Sequence, residues 1–155
     1  MTVILNDFQI DLAIVRLMLR PDWQRKRTDD AWLSRFPAHP DSEYKRLPFV
    51  EFCGVEWALR ENAQVRKPEF SVLNGAPSLD YPPGDFDPAA GYIIGFTAMA
   101  DAAICVDLRP AQGPRIIYDC LAPRLTYATA FSSIPDFVRF YLEQHGEQSS
   151  AALGQ

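Results

Sequence analysis

Histidine and cysteine are scarce in this sequence, with two and three respectively in 155 residues. His39 lies in a proline-flanked segment and His145 near the C-terminus, and neither is close in sequence to a cysteine. This spacing does not make a zinc site, and it argues against a cysteine–histidine nucleophile. We therefore predict no metal, no cofactor and no catalytic residues, with the three cysteines serving as small core residues.

Other signatures of common functions are also missing. The chain has no phosphate-binding loop, no dinucleotide-binding glycine motif and no nucleophile elbow. It has no apolar run of about 20 residues, so we expect no membrane span. A basic leader followed by a clean apolar stretch is absent from the first twenty residues, and the cysteine count is low and odd. These observations predict a cytoplasmic protein.

The net charge of −5 is concentrated in one part of the chain. Residues 1–70 contain 11 basic and 11 acidic side chains, whereas residues 71–155 contain 4 basic and 9 acidic ones. A binder of nucleic acid needs a basic surface, so direct binding of nucleic acid is not expected. An acidic surface favours a basic partner through electrostatic steering, although solubility explains the same bias and both interpretations stay open.

Proline, by contrast, is abundant, with 13 prolines against 8 glycines. Because each proline stops or kinks a helix and interrupts a central strand, we expect short elements joined by ordered loops. Four of the prolines fall in residues 74–91, where no regular element fits most of the segment. A loop of that length in a small domain is usually functional or disordered. Leu79, Tyr81 and Phe86 argue against disorder, since they are apolar anchors.

Helical signals occur at both ends of the chain. The spacing predicts a helix over 7–19 capped by Asn6, and a short helix after Thr28 with Trp32 and Phe36 buried. Residues 49–66 alternate like a strand but are rich in helix formers, and we predict a helix there. A final helix is predicted to begin after Ser133. The basic triplet at 25–27 is predicted to be an exposed loop.

The second half has the character of a sheet. Strands are predicted at 70–73, 92–98, 103–109, 115–120 and 127–131. Pairing Ile104 with Cys120, Val106 with Tyr118 and Leu108 with Ile116 places the apolar side chains on one face. Charged residues then share the opposite face, where they are expected to pair across strands: Asp107, Arg109, Arg115 and Asp119. In this register Cys105 and Cys120 lie on opposite faces and cannot form a disulfide.

Several segments between residues 92 and 142 resemble the SUKH superfamily (Smi/Knr-like proteins), which includes many bacterial immunity proteins. They are Tyr92-Ile93-Ile94-Gly95-Phe96, Asp101-Ala102-Ala103-Ile104-Cys105-Val106-Asp107-Leu108, Ile116-Ile117-Tyr118-Asp119 and Ala130-Phe131-Ser132-Ser133-Ile134-Pro135-Asp136-Phe137. Leu47-Pro48 also looks like the family's entry to its second helix. Ala100 departs from the family pattern, which has a glycine before the aspartate. The resemblance implies an α+β fold and function by protein binding, with no shared catalytic residues.

These observations predict a single α+β domain over residues 1–144 and a flexible tail over 145–155. Its mixed or antiparallel sheet comes from the C-terminal half and is flanked by the N-terminal and C-terminal helices. We expect an immunity protein that occludes the active site of a basic toxin, such as a nuclease. The predicted contact surface is the 74–91 loop: Asp80, Tyr81, Asp85, Phe86 and Asp87.

Three alternatives stay open at this point. A regulatory scaffold of the same fold would bind a signalling protein instead of a toxin. A small hydrolase would use the paired carboxylates of Asp85 and Asp87. In the third alternative, Tyr81 and Phe86 face inward and only fasten the loop to the core, as is common in long ordered loops.

Overall fold

The computed structural model describes residues 2–5, 8–67, 74–98 and 102–146 of the chain. Its helices are α1 (Leu12–Met18), α2 (Asp30–Leu33), α3 (Val55–Val65) and α4 (Ile134–Gln144). Its strands are β1 (Thr2–Leu5), β2 (Phe8–Asp11), β3 (Glu51–Phe52), β4 (Pro83–Gly84), β5 (Gly91–Phe96), β6 (Ala103–Asp107), β7 (Arg115–Asp119) and β8 (Tyr127–Phe131). A 3₁₀ helix spans Pro88–Ala90. The expected short elements are confirmed.

Six strands form one antiparallel sheet in the order β3-β5-β6-β7-β8-β4, while β1 and β2 pair as a separate hairpin. One face of the sheet carries the larger core cluster, to which α1, α2 and α4 contribute. The 74–91 loop and α3 pack against the other face. The prediction of an α+β fold with helices flanking an antiparallel sheet is confirmed, with the addition of β3 from the first half of the chain.

The predicted faces of β6 and β7 are confirmed, but their predicted register is wrong by two residues. Val106 pairs with Ile116, and Ile104 pairs with Tyr118. Leu108 lies beyond the last pair and is partly exposed. A two-residue offset leaves every side chain on its predicted face, because the side-chain period of a strand is two. The cysteines are free, and Cys105 and Cys120 lie in different core clusters.

The predicted helix over 7–19 is too long at its start. Residues 8–11 form β2, whose backbone pairs with β1, and the helix begins only after that pairing ends. The Asp11 carboxylate caps it by accepting a hydrogen bond from the Ala13 amide at 2.8 Å. Its buried residues are Ile14, Leu17 and Met18. Leu19, the last residue of the predicted helix, is 73% exposed.

The other helices follow the sequence signals more closely. The residue that precedes α2 is Asp29 rather than Thr28, and Trp32 and Phe36 are buried as predicted. The predicted helix over 49–66 is confirmed only in its second part, because residues 51–52 form β3 and α3 begins at Val55. Ser133 caps α4 as predicted, and its hydroxyl accepts the Asp136 amide at 3.2 Å. The predicted strand at 70–73 lies outside the described residues. The predicted tail over 145–155 begins too early, because the His145 ring stacks on that of Tyr141, and its part beyond residue 146 lies outside the described residues.

The prediction of an exposed basic triplet is wrong for Arg27, which is only 1% exposed. Its guanidinium donates hydrogen bonds to the main-chain carbonyls of Asp22, Trp23 and Arg25 at 2.8–3.0 Å. It also donates to the Tyr141 hydroxyl at 2.9 Å. A buried charge is costly unless it is hydrogen-bonded, and these bonds engage both terminal nitrogens, while the buried Nε has no hydrogen-bond partner. Arg27 therefore joins the loop after α1 to the C-terminal helix.

Aromatic rings surround the same guanidinium. Its carbon lies 4.7 Å from the centre of the Trp32 ring and 5.1 Å from the centres of the Phe52 and Tyr141 rings. The negative faces of such rings attract a cation, most strongly where water is excluded. The Tyr141 hydroxyl donates onward to the Asp22 carboxylate at 2.6 Å. We call Asp22, Arg27 and Tyr141 the buried polar triad.

The Asp22 carboxylate is predicted to make the protein less stable as the pH falls into the acid range. Burial alone raises the pKa of its carboxyl, but hydrogen bonds from Arg20 and Tyr141 outweigh burial and hold that pKa at about 2 rather than 3.8. Because the folded-state pKa is the lower one, the stabilisation is complete above about pH 4 and is lost as pH falls towards about 2. Asp22→Asn should therefore lose less stability than the wild type on acidification.

Urea denaturation at about pH 5 and about pH 2.5 measures this dependence. The matched control is Asp41→Asn, which changes an exposed aspartate in a loop. We expect the control to keep the acid dependence of the wild type. An equal drop in the denaturation midpoint for Asp22→Asn and the wild type would contradict the assigned role of Asp22.

Candidate functional site

The 74–91 loop is folded back on itself and fastened at its base. Asn74 accepts a hydrogen bond from the Phe86 amide at 2.7 Å, and Gly75 pairs with Asp85 as an isolated antiparallel bridge. Further along, β4 adds to the edge of the sheet against β8. Gly84 has a φ of 81°, and a Cβ there would meet the Ala76 carbonyl at 2.4 Å. The loop is thus an ordered structure with a fixed base.

Phe86 belongs to that base, so its predicted role as an exposed partner anchor is wrong. It is 3% exposed, and its ring centre lies 5.8 Å from that of Tyr127. It packs in the second core cluster, whose other buried members are Ile93, Ala103, Cys105, Ile117 and Tyr127. Burying a phenylalanine is worth about 1.5–3 kcal/mol, so the ring holds the loop against the sheet.

Two of the predicted charge contacts, Asp85 and Asp87, are engaged within the chain. The Asp85 carboxylate accepts a hydrogen bond from Arg109 Nη1 at 3.0 Å. The Asp87 carboxylate accepts the Ala89 amide at 2.9 Å and so caps the 3₁₀ helix. Neither lines any of the clefts described below. This arrangement serves the fold, and it gives no support to a hydrolase that uses these two carboxylates.

Asp107 organises the charged face of the sheet. Its buried carboxylate accepts hydrogen bonds from Arg109 and Arg115, each at 2.8 Å. Burial by itself raises the pKa of Asp107, but the bonds from the two arginines outweigh burial and hold that pKa below its usual range. The predicted cross-strand pairing of charges is confirmed for Asp107 and Arg115. Through Arg109 the same cluster reaches Asp85 and fixes the loop base.

Most of the described carboxylates in residues 71–155 therefore bind other groups of the same chain. Five of them do so: Asp85, Asp87, Asp107, Asp119 and Asp136. Asp80, in contrast, is exposed at the outer end of the 74–91 loop. Among the described residues, Asp80 is the loop carboxylate best placed to meet a basic partner.

The outer end of the loop consists of Leu79, Asp80 and Tyr81, which we call the loop tip. Leu79 is 100% exposed. Tyr81 is half-buried, with its amide donating to the Ser78 hydroxyl at 3.1 Å and its ring 4.4 Å from the His39 ring. The loop tip is therefore held in place by Ser78 and His39 while it presents an apolar side chain to solvent.

A groove of about 390 Å³ lies beside the loop tip. Its walls come from two proline-bearing loops that are distant in sequence, and they include Pro37, His39, Pro40, Tyr81 and Pro82. Tyr118 and Cys120 of the sheet region also line it. Because its lining is mainly apolar, the groove offers space for a partner's apolar side chain next to Leu79.

The sequence marks Leu79 as an apolar anchor of the loop, but the predicted contact surface includes neither Leu79 nor His39. The local sequence gives no signal that Phe86 turns inward while Leu79 turns outward. The His39–Tyr81 contact joins residues 42 positions apart, so no spacing rule predicts it. Of the five predicted residues, the structure leaves Asp80 and Tyr81 in the exposed candidate site.

Burial disfavours the reactive thiolate form of the cysteines. All three cysteines are buried, which confirms their predicted place in the core. Burial raises the pKa of Cys53 to about 12 and that of Cys120 to about 11, and it raises the pKa of Cys105 as well. A protonated thiol is a poor nucleophile and a poor metal ligand.

The described ranges contain no group of three or more histidine, cysteine, aspartate or glutamate side chains arranged to hold a metal ion. No helix in the part of the chain that the structure describes is long and apolar enough to cross a membrane. No family model matches the chain, and no curated protein or solved structure matches it either. The candidate site consequently rests on the geometry of this chain, and it consists of the loop tip and its groove.

Proposed function

We propose that this protein is a non-catalytic binding domain that docks on a partner protein through the loop tip. The observation that carries the proposal is Leu79, a fully exposed leucine on a loop whose base is fixed by Phe86 and Arg109. A rigid loop loses little conformational entropy on binding, so the burial of an apolar side chain contributes more fully to affinity. Tyr81 adds a half-exposed aromatic ring, which is the residue type enriched at interfaces.

Within this proposal the partner is a toxin, and the protein acts as an immunity protein that covers the toxin's active site. The support is the resemblance to the SUKH superfamily together with the α+β arrangement of the chain. The exposed Asp80 carboxylate beside Leu79 favours a partner with basic residues around its active site, as in a nuclease. The engagement of the Asp85 and Asp87 carboxylates by groups of the same chain and the high pKa values of the thiols support a function without catalysis.

Leu79→Asp is predicted to weaken binding of the partner about tenfold or more. The variant places a charge where the complex buries a leucine, and the loss of about 1.5–3 kcal/mol corresponds to roughly 10- to 100-fold. The partner is first isolated from the native cell with the wild-type protein and then purified. Its dissociation constant is measured by calorimetry for each variant, and inhibition of the partner's own activity is assayed alongside.

Leu19→Asp is the matched control, because Leu19 is also a largely exposed leucine and lies at the end of α1, distant in sequence from the loop. We expect its affinity to equal that of the wild type. Asp80→Lys should weaken the binding of a basic partner, and the size of this loss should depend on the salt concentration. Equal affinities of Leu79→Asp and Leu19→Asp would refute docking through the loop tip. A tight complex that leaves the partner's activity unchanged would refute the immunity function while keeping the binding function.

A further inference from the structure

A second pocket, of about 330 Å³, opens beside β3. Three partly exposed aromatic side chains line it: Phe49, Trp57 and Phe96. Glu51 also lines it, and so do Cys53 and Gly54 at the start of α3. We call Phe49, Glu51, Trp57 and Phe96 the aromatic pocket.

Strand geometry brings these side chains to one side of the sheet. Glu51 lies directly opposite Phe96 in the pairing of β3 with β5, and directly opposed residues project from the same face. Phe49 precedes Glu51 by two residues, and its amide donates to the Thr97 carbonyl at 3.4 Å, which extends the pairing. Trp57 then follows in the first turn of α3.

The rings of Trp57 and Phe96 form a corner. Their centres are 4.3 Å apart and their planes meet at 86°, so the two rings stand as perpendicular walls. Aromatic faces carry partial negative charge, and pockets with several such walls are suited to ammonium groups. The carboxylate of Glu51 adds a full negative charge to the same site. Aromatic rings with one carboxylate are therefore the chemistry that recognises an organic cation.

A cation of the protein itself already lies over one of these rings. The Lys26 ammonium lies 4.5 Å from the centre of the Phe49 ring. Burial is the main cause of the raised pKa of the Cys53 thiol in the pocket wall, and the carboxylates of Glu61 and Glu51 raise it further. On the other side, Arg60 and Glu56 share an adjoining cleft with Trp57, and their opposite charges offset each other there.

We propose that the aromatic pocket binds the cationic head of an organic ammonium compound, of the size of a trimethylammonium group. Its volume is at the small end of the range for ligand sites, which suits such a head group better than a nucleotide-sized ligand. The aromatic pocket and the loop tip have no residue in common, so this proposal can be tested independently of the proposed docking function.

Tryptophan fluorescence gives a direct test with the full chain. Trp23 and Trp32 are completely buried, whereas Trp57 is partly exposed in the pocket. Choline is titrated as the probe, and 3,3-dimethylbutan-1-ol serves as its neutral counterpart of the same shape. We expect a saturable change with choline and about tenfold weaker binding of the neutral alcohol. Equal binding of the two compounds, or no saturation with choline, would overturn the proposal.

Two variants locate the binding in the pocket. Glu51→Gln removes the charge and Phe49→Leu removes a ring, and each should weaken choline binding several-fold, by about threefold to tenfold. Glu143→Gln is the matched control, because it removes an exposed carboxylate from α4. Circular dichroism checks that each variant is folded. Affinities of Glu51→Gln and Phe49→Leu that both match the control would place any choline binding elsewhere and refute the assignment.

The source of the cation is distinguished with two further probes, N-acetyl-lysine amide and its trimethylated form. Tighter binding of these compounds than of choline assigns the pocket to a lysine side chain of another protein. Tighter binding of choline assigns it to a free small molecule. The amide resonance of Gly54, in the wall of the pocket, reports each of these titrations independently of fluorescence.

Discussion

Arg27→Met is expected to lower the free energy of unfolding by about 3–5 kcal/mol. Methionine preserves much of the side-chain volume but removes every hydrogen bond that the guanidinium makes. Three main-chain carbonyls and the Tyr141 hydroxyl would then lose a donor, and the bonds to the Trp23 carbonyl and to the Tyr141 hydroxyl are buried. Urea denaturation monitored by circular dichroism gives the difference directly.

Arg25→Met is the matched control for this loss. Arg25 lies in the same loop, but its side chain is exposed, so its replacement should change the stability by less than about 0.5 kcal/mol. Tyr141→Phe removes the hydroxyl between Arg27 and Asp22, and in the double variant the two losses should not add. Additive losses, or an Arg27→Met variant as stable as Arg25→Met, would show that the buried polar triad does not act as a unit.

Phe86→Ala should cost a similar amount, about 3–5 kcal/mol, because it leaves a cavity in the second core cluster. The variant also removes the apolar anchor at the base of the 74–91 loop. We therefore expect faster proteolytic cleavage in this loop than in the wild type, in addition to the lower free energy of unfolding. Limited proteolysis under native conditions measures the first effect and urea denaturation the second.

Leu79→Ala serves as the control, since it shortens an apolar side chain of the same loop that contacts solvent only. Its stability should stay within about 0.5 kcal/mol of the wild type. If Phe86→Ala proves as stable and as protease-resistant as Leu79→Ala, then the loop is held by Asp85 and Arg109 alone, and the role assigned to Phe86 is wrong.

The sheet was predictable because its determinants are local. Alternation along residues 103–109 and 115–120 assigns each side chain to a face, and Ser133 marks the start of α4. The pairing offset was not predictable in the same way, because a two-residue shift preserves both faces. Which offset is adopted depends on the turn and on neighbouring strands. At the N-terminus, β2 replaced the first turn of the predicted helix because the hairpin partner satisfies its backbone.

The candidate site was predictable only in outline. Composition marks 74–91 as an unusual loop, but the direction of each apolar side chain depends on contacts with distant parts of the chain. Phe86 meets Tyr127 and Tyr81 meets His39, and neither contact leaves a local pattern. The burial of Arg27 has the same cause, since its partner Tyr141 lies 114 residues away. A basic triplet looks the same whether one member is buried or all are solvated.

The two ends of the six-stranded sheet have a consequence for self-association. In the described part of the chain, its outermost strands β3 and β4 are two residues long. One of them contains Pro83, which has no amide hydrogen to donate. A second copy of the protein would find no long row of unpaired main-chain groups on which to extend the sheet. Short, proline-containing edges of this kind protect a β-rich protein from aggregating at high concentration.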